Sequence, residues 1–148
     1  MNIVLYNAVL FLGLLFIFPK TLWLYFFRGK YRKSLFLRFK SKAPHIESRS
    51  VIWLHGASLG EVKALSTLVP LIKKSYSNTF ILISTITETG LSEATKSIKQ
   101  ADAVCFLPYD FSWIMRPFVQ SIRPKLLILV EGDFWPNFLN QAKKSGAL

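Results

Sequence analysis

The chain reads as a parallel, Rossmann-like α/β sheet preceded by an apolar N-terminal helix, and three observations predict it. From Ser50 onward, short runs of uninterrupted β-formers alternate with segments of helical period. The first run stops at a turn of small residues, Gly56-Ala57-Ser58-Leu59-Gly60, the punctuation expected between a strand and a helix. Ahead of both, residues 3–18 are uncharged and almost wholly apolar. Strands apolar on both faces, each followed by a helix, belong to parallel sheets covered on both sides, with right-handed crossovers.

Each element has its own signal. Val51 to His55 is a run of β-formers, and residues 60–75 carry apolar positions at Val62, Leu65, Leu68, Val69 and Ile72, one helical face. Residues 79–84 form the second strand, and residues 89–99 the second helix, entered through Thr87-Glu88-Thr89-Gly90. Residues 103–107, 111–122, 125–130 and 135–144 continue the alternation as strand, helix, strand and helix. Four or more strands make one domain, and 148 residues are too few for two. The expected division is a membrane anchor over residues 1–27, a basic juxtamembrane connector over 28–49, and the Rossmann-like domain over 50–148.

The apolar run explains most of the positive mean hydropathy of +0.34. Sixteen helical residues reach about 24 Å, short of a hydrocarbon core of roughly 30 Å, so spanning needs help from the aromatic patch at residues 22–27, beyond Pro19. Met1-Asn2 carries no basic side chain and the run ends in Phe16-Ile17-Phe18-Pro19, which is unlike a cleaved signal. Positive charge follows the run, at Lys20, Arg28, Lys30, Arg32, Lys33, Arg38, Lys40 and Lys42. The positive-inside rule then leaves the domain facing the cytoplasm. Trp23, Tyr25, Phe26 and Phe27 beside those charges read as an interfacial belt, and the basic connector as a grip on anionic head groups. A short helix packed on the domain fits the connector nearly as well.

The net charge of +11 is unevenly spread. The first fifty residues hold nine Lys and Arg against one acid, and the rest hold ten against seven. Basicity therefore belongs to the membrane-flanking segment, and with no zinc spacing or recognised nucleic-acid motif, nucleic acid is not an expected partner. The single cysteine, Cys105, excludes an intrachain disulfide and fits a reducing compartment.

Three chemistries compete for the turn after the first strand. Glu61, on the first turn of the following helix, is favoured there as an anion by the free N–H groups whatever the protein does. Gly56-Ala57-Ser58-Leu59-Gly60 also matches the G-x-S-x-G nucleophile elbow, which would make Ser58 the nucleophile of a hydrolase or acyltransferase. The hydrolase order needs an acid and then a histidine downstream, and both histidines, His45 and His55, lie upstream of Ser58. The third reading makes Glu61 a general base in a transfer cleft. Ligands of open α/β sheets bind at the carboxyl ends of the strands. There the chain delivers His55, Ser58 and Glu61, then Ser84, Thr85, Thr87, Glu88 and Thr89, then Pro108, Tyr109 and Asp110, and last Glu131, Gly132 and Asp133. Thr87 and Asp110 are equally good caps for the helices that follow them, whereas Glu131, directly after Leu-Leu-Ile-Leu-Val, is expected at a buried sheet end in need of a partner.

These residues together resemble the amino-terminal half of the bacterial Kdo transferases, membrane-anchored enzymes that transfer 3-deoxy-D-manno-octulosonic acid (Kdo). The resemblance rests on Phe27-Arg28-Gly29-Lys30-Tyr31-Arg32, His55-Gly56-Ala57-Ser58-Leu59-Gly60-Glu61, Thr85-Ile86-Thr87-Glu88-Thr89-Gly90, Leu107-Pro108-Tyr109-Asp110, Arg123-Pro124-Lys125 and Glu131-Gly132-Asp133-Phe134-Trp135-Pro136-Asn137. It implies the N-terminal half of a GT-B glycosyltransferase, needing no metal or cofactor and inverting the anomeric centre, with CMP-Kdo as donor and the lipid A precursor as acceptor. It further implies that Glu61 is the base for the acceptor hydroxyl, that Glu131 assists at the transition state, and that Ser58, Gly60, Thr87 and Asp133 bind substrate. Many members carry Glu-Thr-Glu where this chain has Glu131-Gly132-Asp133, a form like that of the chlamydial branch. A second half that binds the CMP part of the donor is expected beyond Leu148, and the chain alone is expected to be inactive. Outside the resemblance, a serine enzyme at Ser58 and a non-catalytic membrane-anchored α/β module remain as readings of the same residues.

Overall fold

The computed structural model describes residues 2–28, 34–46, 49–132 and 134–148. The chain runs α1 (Ile3–Arg28), α2 (Ser34–Phe39), β1 (Val51–His55), α3 (Leu59–Ser75), β2 (Phe80–Thr85), α4 (Glu88–Ser97), β3 (Ala103–Phe106), α5 (Ser112–Ile122), β4 (Leu126–Leu129) and α6 (Pro136–Lys144). The four strands form one parallel sheet in the order β3-β2-β1-β4. β1 to β3 are laid down outward in one direction, and β4 then returns to the other side of β1. The order therefore reverses between β1 and β4, and a crevice at such a reversal is where open α/β sheets take ligands.

Side chains of one strand alternate between the two faces, and the core divides accordingly. Ile52, Leu54, Ile81 and Ile83 pack against Val62, Leu65 and Val69 of α3 and Ala94 of α4. Val51, Trp53, Phe80 and Leu82 pack against Met115, Phe118 and Ile122 of α5 and Phe138 of α6. The central strands β1 and β2 are buried along their whole length, as their unbroken apolar sequences require, because neither face meets water.

The expected elements are all present, with ends shifted by one or two residues, as fraying termini allow. α1 continues through Pro19 to Arg28, so the apolar run and the aromatic patch beyond it form one helix. One local expectation is corrected. Asp110 does not cap the helix after it. Phe111 stands at that position without a side-chain bond, while the buried Asp110 carboxylate accepts the amides of Asn137 (2.9 Å) and Phe138 (2.8 Å) at the start of α6. Trp135 and Pro136 cannot cap those amides, so an acid from a neighbouring loop satisfies them.

At the amino edge of the sheet, Asp102 bonds the Ile81 amide (2.8 Å), Lys73 Nζ (2.6 Å) and Arg49 Nη1 (2.9 Å). Partial burial pushes its carboxyl up, but these donors outweigh that and hold it below the usual carboxylate value. A depressed acid stabilises the fold above its unfolded value and loses that contribution as pH falls through its folded value. The stability gap between the parent and Asp102→Asn should therefore be open at neutral pH and close below about pH 4, as urea unfolding at several pH values would read.

Candidate active site

β1 delivers the chain to the reversal of strand order. Gly56 N donates to Ser84 O (3.0 Å), extending the pairing by one residue, and the chain then turns directly into α3. A Cβ at Gly56 would stand 3.1 Å from Glu61 Cβ and 3.2 Å from Val62 N. Glycine is needed here because the first turn of α3 folds back over the strand end.

Ser58 and Glu61 close that turn reciprocally. Ser58 Oγ accepts the Glu61 amide (3.2 Å), while the Glu61 carboxylate accepts the amides of Ala57 (2.8 Å, Oε2) and Ser58 (3.1 Å, Oε1). This is a capping box. Partial burial pushes the Glu61 carboxyl up, but the Ser58 hydroxyl and the two amides more than offset it, leaving the group below its ordinary value and ionised at neutral pH. A carboxylate has about four lone-pair sites, so each oxygen of the half-buried Glu61 keeps acceptor capacity beyond these bonds.

The opposite side of the turn is fixed by β2. Ala57 O accepts from Thr85 Oγ1 (3.1 Å) and Thr87 Oγ1 (3.2 Å), and Thr87 Oγ1 in turn accepts the Gly90 amide as N-cap of α4. Ser58, Gly60, Glu61 and Thr87 are thus brought to one corner of the carboxyl edge. Gly60 is exposed, and a Cβ there would meet only Ser58 Oγ, at 3.9 Å; the fold itself does not require a glycine at that position.

His55 belongs to the scaffold. It is 1% exposed, with Nδ1 2.8 Å from Ser84 Oγ, which also accepts the Trp53 indole N–H at 2.8 Å. Ser84 Oγ thereby links the Trp53 indole to the His55 ring, while His55 Nε2 is buried without a hydrogen-bond partner. Burial lowers the ring to about 4, so it is neutral at physiological pH. Ser58, for its part, has extended backbone (φ −106°, ψ 168°) as the N-cap of α3, whereas a nucleophile elbow holds its serine on a strained turn.

β4 ends beside β1, where Val130 N donates to His55 O (3.1 Å), so Glu131 emerges next to the same corner. Contrary to the sequence-based expectation, Glu131 is exposed. β4 is itself only half-buried along its length, and the residue that follows it leaves the sheet without being enclosed. Asp133 lies outside the described residues.

Sequence reasoning gave too little to α2. Arg38 reaches Leu107 O through Nε (2.9 Å) and lies over the Tyr109 ring at 4.2 Å, and Glu88 Oε1 accepts the Ser34 amide (3.0 Å). A cleft of about 680 Å³ opens between α1, α2 and the loops after β2 and β3, bounded by Leu24, Arg38, Phe39, Ile86, Thr87 and Tyr109 among others. Thr87 joins this apolar cleft to the turn that bears Glu61. The signal for it was the amphipathic pattern of the connector, with Leu35, Arg38 and Phe39 on neighbouring turns.

The family described as 3-deoxy-D-manno-octulosonic-acid transferase (kdotransferase) matches residues 31–148. The chain belongs to this family. It is 37% identical over 144 residues to the 3-deoxy-D-manno-octulosonic acid transferase of Chlamydia pneumoniae, covering 96% of this chain and 33% of that protein. It is also 37% identical over 145 residues to the enzyme of the same name from Chlamydophila psittaci, covering 97% and 34%. A bifunctional glycosyltransferase/methyltransferase of Fusobacterium nucleatum is 33% identical over 131 residues, 86% of this chain and 20% of that protein. The chain spans about a third of the length of the chlamydial relatives. Its sheet is thus that of the Kdo transferase N-terminal domain, within the GT-B architecture.

The capping geometry predicts what substitutions do to the fold. Ser58→Ala should lower stability by about 1 kcal/mol, and Glu61→Gln, which keeps an acceptor for one amide, by about 1 kcal/mol or less. Thermal denaturation of the two variants against the parent measures both.

Proposed function

We propose that this chain is the acceptor-side part of a membrane-associated Kdo transferase, which moves Kdo from CMP-Kdo to a lipid A precursor with inversion and without a metal, and that Glu61 is the general base. The observation that supports it is the carboxylate itself: ionised, in a turn at the reversal of strand order, and connected through Thr87 to an apolar cleft beside α1. An acyl-chain-bearing acceptor needs an apolar approach of this kind, and its sugar hydroxyl needs a proton acceptor at the end of it.

In the proposed step the acceptor hydroxyl oxygen attacks the anomeric carbon of Kdo while the bond from that carbon to the CMP oxygen breaks, and the hydroxyl proton passes to Glu61. A carboxylate held below its ordinary value is a weak base toward an unreacted alcohol. It becomes adequate as the new C–O bond forms and the hydroxyl turns acidic, which places proton transfer late in the step. Glu131, exposed beside the same corner, would stabilise the transition state, with Ser58, Gly60, Thr87 and Asp133 around the sugar. The donor's CMP part would be held by the remainder of the protein, for which the relatives have room in the two thirds of their length that this chain does not match. An apolar α1 flanked by basic residues is compatible with a membrane anchor, and the reading puts the domain on the cytoplasmic face of the inner membrane.

A purely structural role for Glu61 has its own support in the capping box, and one pair of variants separates the two. In the full-length protein Glu61→Gln should keep the fold and lower kcat for Kdo transfer by about 10²-fold or more, while Ser58→Ala should leave a measurable rate. Near-parental transfer by a folded Glu61→Gln enzyme would reduce Glu61 to a helix-capping acid.

A further inference from the structure

The polar residues of α1 are not at its ends alone, and their partners fix how the helix lies. Tyr6 and Asn7 interrupt an otherwise apolar first half. Tyr6 Oη donates to Asp110 Oδ2 (2.9 Å), the acid that caps α6. Asn7 Nδ2 donates to Ser112 Oγ (2.9 Å) at the start of α5, and Asn7 Oδ1 accepts from Asn137 Nδ2 (2.9 Å) in the first turn of α6. One end of α1 is therefore built into the starts of two domain helices.

The other end is tied to the same domain. Tyr25 meets Phe36 of α2 edge-on, with ring centroids 5.9 Å apart, and α2 is bonded to the domain through Ser34 to Glu88 and Arg38 to Leu107. From Tyr6 to Tyr25 a helix advances about 28 Å, close to the thickness of a hydrocarbon core. A helix crossing the bilayer with its C-terminal end at the domain would carry Tyr6 and Asn7 to the far side. Crossing and these hydrogen bonds are mutually exclusive.

The two faces of α1 differ to match. Ile3, Tyr6, Leu10, Leu14, Thr21 and Leu24, at helical spacing, are half-buried toward the domain. The outward face exposes Leu5 (64%), Phe16 (84%) and Phe27 (76%). No aqueous surface holds such a strip without a cover, and the neighbouring charges say which cover fits: nine Lys and Arg against one acid in the first fifty residues suit an anionic surface.

We propose that α1 does not cross the membrane but lies in the plane of one anionic lipid leaflet, latched to the domain by Tyr6 and Asn7, so that the carboxyl edge of the sheet rests against the lipid. This rests on the membrane reading above and deepens it. The latch satisfies the Asn7 amide, which a crossing helix would have to carry into or through hydrocarbon.

The test uses the full-length protein with its native cysteines replaced, carrying Asn2→Cys, in native membranes treated with a membrane-impermeant maleimide. Labelling in inside-out vesicles with loss of labelling in intact spheroplasts is expected, and the opposite pattern overturns the proposal. A second protein carrying Leu10→Cys and Trp113→Cys, one turn and one residue from the Asn7–Ser112 bond and leaving it intact, should cross-link with a bis-maleimide in the membrane fraction. Absence of that cross-link in membrane-bound, transfer-competent protein also overturns it. Recovery of the unmodified protein in the soluble fraction would instead remove the membrane reading itself, and the latch proposal with it.

Discussion

The carboxylate of Glu61 closing on the amides of Ala57 and Ser58 is the contact on which the rest of the carboxyl edge depends. It ends β1, starts α3, and fixes Ala57 so that its carbonyl can gather Thr85 and Thr87 from the next strand. Gly56 makes the closure sterically possible, because any Cβ there would press on Glu61 itself. Capping and proton acceptance are not alternatives in this geometry. The bonds that cap the helix also keep the acid ionised and oriented, and general-base chemistry needs both conditions.

Around that corner the fold keeps its two requirements apart. Apolar packing on both sheet faces encloses β1 and β2, and the buried hydrogen bonds of Ser84 with Trp53 and His55 pair the Trp53 indole N–H and His55 Nδ1, leaving His55 Nε2 buried without a partner. Function is left to the strand ends, where polar groups can be half-solvated. The same edge carries α1 and α2, so the apolar cleft and the ionised acid adjoin one another. Under the proposed function, that arrangement would let an acceptor held in lipid meet a base held in protein, with no need for the acceptor to leave the membrane.

Much of this was legible in the sequence because the signals were local. Uninterrupted apolar strands, helix-period faces and the Thr87 cap each depend on a few neighbouring residues, and each element appeared where its pattern lay. What was not legible depended on partners distant in the chain. The strand order, and with it the reversal beside β1, follows from which strands pair. Asp110 looks like a cap for α5 by sequence, yet it serves α6 because Trp135 and Pro136 leave that helix without a local acceptor. Glu131 follows an apolar strand and so reads as buried, but β4 is itself only half-buried and the residue after it is exposed. Tyr6 and Asn7 carry no local signal within the apolar run, because their partners lie more than a hundred residues away.

The central claim is that a lipid-borne acceptor reaches Glu61 along the carboxyl edge of the sheet. The most direct measurement binds a lipid A precursor with a photoreactive acyl chain to the full-length, membrane-associated protein and maps the adducts by mass spectrometry. The account predicts adducts in the cleft between α1 and α2, at Leu24, Phe39 and Ile86, with none on the basic hollow between α5 and α6. Adducts confined to that hollow, around Arg116, Arg123 and Lys144, would contradict it and move the acceptor to the other side of the domain.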